Sequence, residues 1–125
     1  MAQRSIDVLI VDDDRVFLAS IEDLVRKHGF VVRGVVSAED AVVALRQGDR
    51  PKLILLDLVL PGMSARNFLT ALKLEPAWAL IPVVLVTAVT SSEVPRDLPV
   101  DSVLLKPIDS GELLSLVRQH CPRNA

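Results

Sequence analysis

The sequence predicts an α/β fold in which parallel strands form a central sheet with helices packed on both faces, a three-layer (βα)5 sandwich. Short β-branched runs alternate with amphipathic stretches from end to end, the pattern of successive βα units. Four of the apolar runs end on a residue able to handle a phosphoryl group: Ile6 to Val11 before Asp12, Asp13 and Asp14, Leu53 to Leu56 before Asp57, Val83 to Val86 before Thr87, and Val103 to Leu105 before Lys106. In an open α/β fold the carboxyl ends of the strands meet at one crevice, so these termini are expected to share one pocket.

The first strand is expected at Ile6 to Val11, and Phe17, Ile21, Leu24, Val25 and His28 then recur at helical spacing up to Gly29. A second strand spans Phe30 to Val36. Ser37, with Asp40 three residues on, opens a helix carrying Ala41, Val42, Ala44 and Leu45 that ends near Gly48. Pro51 leads into the third strand. After Asp57 a loop from Leu58 to Met63 gives way to a helix capped by Ser64, with Phe68, Leu69 and Leu72 inward and Pro76 closing it. The fourth strand is Val83 to Thr87.

Pro95 and Pro99 then stand where a fourth helix belongs, and neither fits a helix interior, so that helix is expected to be short or distorted. The fifth strand is Val103 to Leu105. The last helix opens at Asp109, with Glu112 in the capping-box position and Leu113, Leu116 and Val117 facing the sheet, and Arg123 to Ala125 should fray.

With 125 residues, half of them hydrophobic, the chain is expected to form one domain over residues 1–125 with a sizeable core. Its 14 basic and 16 acidic residues form no long run of either sign, which argues against direct nucleic-acid binding and against a basic membrane-binding face. Proteins are the expected partners. Cys121 is the only cysteine, which rules out an intrachain disulfide and fits a reducing compartment. No apolar run approaches the roughly 18 residues of a membrane span, and Met1 to Asp7 lacks the apolar core of a signal peptide, so the expected location is the cytoplasm.

Asp12 and Asp13 adjoin at the end of a buried strand, where two unpaired charges about 4 Å apart would repel by roughly 4 kcal/mol at an effective dielectric near 20. A divalent cation relieves that repulsion. Carboxylates, waters and phosphate oxygens are the hard ligands that magnesium prefers, and Asp57 supplies a third carboxylate. Asp14, just ahead of the first helix, reads better as its cap. A carboxylate standing where Asp57 does is a ligand or a nucleophile, and carboxylates do form acyl phosphates. Thr87 offers a hydroxyl and Lys106 an ammonium; one Mg²⁺ would neutralise the summed charge of Asp12, Asp13, Asp57 and Lys106. Trp78 and Pro82 read as packing and punctuation, and His28 and His120 as helix-end residues.

These residues resemble the receiver domain of two-component response regulators. The matching pieces are Val11-Asp12-Asp13-Asp14, the segment Asp57 to Met63, Thr87-Ala88 and Leu104-Leu105-Lys106-Pro107, four motifs in order over essentially the whole chain. The resemblance implies a flavodoxin-like fold with strand order 2-1-3-4-5, an order that the general rules for such folds already associate with a chemotaxis receiver. It implies that Asp57 accepts a phosphoryl group from a histidine kinase or histidine phosphotransfer protein. Asp12, Asp13, Asp57 and the backbone carbonyl of Val59 would hold Mg²⁺, with Thr87 and Lys106 on the phosphoryl oxygens. Such a domain catalyses only its own phosphorylation and dephosphorylation, and signals to a downstream protein by contact.

The sequence departs from that family in places. An aromatic residue usually stands three positions before the lysine, where this chain has Val103, and glycines are common where it has Ala65 and Pro99. Three other readings compete. A receiver-like interaction module that is never phosphorylated predicts a damaged acid cluster, whereas all five site residues are present. A phosphatase with an aspartate nucleophile wants a second acid where Val59 stands. A flavin site wants a hydroxyl- and glycine-rich loop where three carboxylates stand.

Overall fold

The computed structural model describes residues 3–122, and the expectation for Arg123 to Ala125 lies outside them. Five strands, β1 (Arg4–Val11), β2 (Val32–Val35), β3 (Asp49–Leu56), β4 (Val83–Thr87) and β5 (Ser102–Leu105), form one parallel sheet in the order 2-1-3-4-5. Between and after them come α1 (Arg15–Lys27), α2 (Ala38–Arg46), α3 (Ala65–Leu74) and α4 (Ser110–His120). This is the flavodoxin-like arrangement that the sequence implied.

Alternation along the strands builds two cores. Leu9, Val11, Ile54, Leu56, Val83 and Leu85 pack with α2 and α3, while Val8, Ile10, Leu53, Leu55, Val84 and Val86 pack with α1 and α4. A parallel sheet covered on both faces needs apolar residues at successive positions, and this is why its strands read as unbroken hydrophobic runs. Trp78 joins the first core as a packing residue.

The helix starts follow from short polar side chains. Asp14 Oδ1 accepts from the amides of Val16 and Phe17, Ser37 Oγ from Asp40, Ser64 Oγ from Asn67, and Asp109 Oδ1 from Glu112. Each satisfies donors that the first helical turn leaves without a partner. At the other end of α1, Gly29 has φ 87°, a conformation that costs glycine nothing.

The bounds of three strands differ from expectation. The strands β1 and β3 begin earlier, at Arg4 and Asp49, because pairing starts at Arg4↔Asp49 and a fully buried Asp49 is held by Arg4 at 2.9 Å and Arg33 at 3.2 Å. Pro51 therefore lies inside β3, at a level where only β1 flanks it, since β4 joins at Ile54. The second strand is shorter than expected, and Phe30 fills the core from outside it. The fourth helix, expected to be short or distorted, is a single 3₁₀ turn at Ser91–Glu93, as expected, and the remaining crossover to β5 is irregular around Pro95 and Pro99.

Candidate phosphoryl and metal site

Backbone pairing continues one residue past the strands and brings the motifs to one level. The amide of Asp12 donates to Val35, that of Asp57 to Val11 and that of Lys106 to Thr87. Asp12, Asp57 and Thr87 are buried, Asp13 is exposed, and Lys106 is largely covered. Within this crevice Asp12, Asp13 and Asp57 each present a carboxylate oxygen, all within 4.8 Å of one another.

The ammonium of Lys106 crosses to the acids. Its Nζ lies 2.8 Å from Asp12 Oδ2 and 3.8 Å from Asp57 Oδ2. Asp12 Oδ1 accepts from the Asp14 amide at 2.9 Å, and Asp57 Oδ1 from the Val59 amide at 3.3 Å. Thr87 enters through its backbone; the partner of its hydroxyl is the Val89 amide at 3.4 Å. Asp14 is the α1 cap, as expected.

Burial above all pushes the Asp57 carboxyl above the ordinary carboxylate range, because desolvation penalises the charged form. Lys106 opposes that shift, Asp12 adds to it, the Val59 amide opposes it and Asp13 adds to it. Three converging carboxylates with one ammonium leave excess negative charge in a site made of hard oxygen donors. That donor set fits Mg²⁺ better than a soft or nitrogen-preferring metal.

Two contributors were missed. The helical period marks Phe17 as a core residue of α1, but its ring lies under the Lys106 ammonium, with Nζ 4.2 Å from the centroid. Glu39, in the first turn of α2, accepts from the Met63 amide in the loop after Asp57. Gly62 in that loop has φ 74°, and a Cβ there would collide with Glu39 Oε2. The sequence leads one to expect a loop from Leu58 to Met63, yet no spacing rule connects it to Glu39.

This fold and acid cluster define a receiver. The family described as the response regulator receiver domain matches residues 8–118, and the chain belongs to it. Among similar proteins, the DNA-binding response regulator MtrA of Mycolicibacterium paratuberculosis is 32% identical over 120 residues, covering 94% of this chain and 52% of that protein. The sensory transduction protein RegX3 of Mycobacterium tuberculosis is 35% identical over 117 residues, covering 89% and 48%. The chain thus spans about half the length of these curated relatives. A two-component response regulator from Legionella pneumophila superposes with a TM-score of 0.82 at 29% identity, covering 92% of this chain and 97% of that one. Among the described residues no helix is long and apolar enough to cross a membrane.

Proposed function

We propose that this receiver accepts a phosphoryl group on Asp57 from a phosphohistidine of a histidine kinase or histidine phosphotransfer protein, with Mg²⁺, in the cytoplasm. The observation that carries the reading is the convergence of three carboxylates within 4.8 Å, with Lys106 Nζ 3.8 Å from Asp57. Asp57 directly follows β3, the middle strand of the sheet, and is buried beside the other two acids.

In the transfer a carboxylate oxygen of Asp57 attacks phosphorus, a P–O bond forms as the P–N bond breaks, and the donor imidazole, protonated on its other ring nitrogen, leaves neutral with the bonding pair. Little covalent work falls to the protein; positioning and charge neutralisation account for the rate. Asp12, Asp13, Asp57 and the Val59 carbonyl would hold Mg²⁺, which supplies neutralisation of the phosphoryl oxygens. Lys106 adds a second cation, and the Thr87 hydroxyl, which accepts from the Val89 amide, keeps its own proton to donate to a phosphoryl oxygen. The name of the mycobacterial relative specifies DNA binding by a protein nearly twice this length. For this chain the output is contact with a downstream protein.

Incubation with a small phosphodonor and Mg²⁺ should raise the intact mass by one phosphoryl group, and Asp57→Asn should abolish the increase. Undiminished labelling of that variant would overturn the assignment.

A further inference from the structure

We propose that Phe17 is a positioning residue for Lys106: its ring holds the ammonium as the resident cation of Asp12 and thereby weakens the grip of the acid cluster on a divalent ion. The inference rests on the Mg²⁺ reading above and deepens it.

Three observations carry it. The ammonium sits 4.2 Å from the Phe17 centroid, over the ring, where the negative face of an aromatic quadrupole attracts a cation. It is closer to Asp12 than to Asp57, 2.8 Å against 3.8 Å, so the stacked position favours the acid shared with the metal. The surroundings are poor in water: Ile10, Ile21, Leu55, Val86 and Ile108 line the floor beneath the two acids, and the lysine side chain is 18% exposed. The backbone that carries the ring is tied to the acids, because the Phe17 amide donates to the Asp14 cap at 3.1 Å while the Asp14 amide donates to Asp12.

A divalent ion on Asp12 competes with Lys106 for the same carboxylate. Any interaction present only while the lysine is seated there opposes the ion, and the stack is such an interaction. Leucine preserves the apolar bulk of Phe17 and removes the quadrupole; tyrosine preserves both.

The test follows Mg²⁺ titrations through the amide resonances of Asp57 and Val59, with the Lys106 side-chain resonances read before metal is added. Phe17→Leu should bind Mg²⁺ about fivefold more tightly, the equivalent of ~1 kcal/mol at a partly desolvated cation–π contact, and Phe17→Tyr should match the wild type. In a Lys106→Met background Phe17→Leu should change nothing. Without metal, the ring should displace the Lys106 ε-methylene protons in the wild type and in Phe17→Tyr but not in Phe17→Leu. Unchanged affinity in Phe17→Leu, the same gain in the Lys106→Met background, or Lys106 signals indifferent to the ring would each overturn the proposal. A wild type that shows the ring displacement yet binds no Mg²⁺ overturns the metal reading, and with it the competition on which this proposal depends.

Discussion

The crossovers from β3 to β4 and from β4 to β5 each join neighbouring strands, yet the first is a ten-residue helix and the second holds only a three-residue 3₁₀ turn. In the first, the Ser64 cap starts α3, and Phe68, Leu69 and Leu72 recur on one face and bury almost completely. In the second, Pro95 and Pro99 prevent any such period, but Leu98 still reaches the same core at 7% exposure. A sheet can thus be covered by single apolar residues dropped from irregular chain, although incompletely. Val103 and Leu105 on β5 remain 37% and 45% exposed, and Val103 lines a cavity of about 310 Å³ together with Val94, Leu98 and Val100.

The contrast is broken most severely in the core. Phe68→Ala should cost about 3–5 kcal/mol in chemical denaturation and Leu98→Ala about 2 kcal/mol, whereas Val103→Ala should stay within about 0.5 kcal/mol. A Val103→Ala cost equal to that of Leu98→Ala would mean that β5 is covered after all. A smaller effect is expected at the helix start: Ser64→Ala removes the acceptor for the Asn67 amide and should cost about 1 kcal/mol, while Thr90→Ala, ahead of the 3₁₀ turn, should cost less than half of that.

Asp57 heads the first crossover, directly after β3, and its effect depends on pH. A carboxyl whose folded pKa is raised binds more protons folded than unfolded, so its stabilising contribution is present below the ordinary value of about 4 and lost as pH rises through the raised one. Asp57→Asn should therefore melt a few degrees higher than the wild type at neutral pH and equal it near pH 3, as thermal unfolding across that range would show. The smallest expected change is structural: a phosphate mimic should move amide resonances chiefly from Thr87 to Pro95. Val103 has no ring to swing, and a β-branched side chain has few rotamers to exchange. Shifts concentrated in α2 or α3 instead would contradict this.

Caps and periods made α1, α2, α3 and α4 legible, because both are local: Ser37 and Asp40, or Asp109 and Glu112, meet within one turn. The acid cluster was legible because parallel topology dictates where strand ends meet. What escaped notice were contacts between charged or aromatic groups distant in sequence. Asp49 looks like a loop residue until Arg4 and Arg33 close on it, and this hid the lower ends of β1 and β3. Phe17 satisfies the helical period whether or not a lysine from residue 106 rests on it, so no pattern could distinguish packing from positioning.

The loop after Asp57 is held before any ligand arrives. Glu39 takes the Met63 amide, and Gly62 leaves the space its carboxylate occupies. A loop already confined loses less conformational freedom when it closes on a ligand, and ordering a residue's backbone costs on the order of 1–2 kcal/mol. Part of that entropy is removed during folding, through a side chain of α2 that never touches the phosphoryl site.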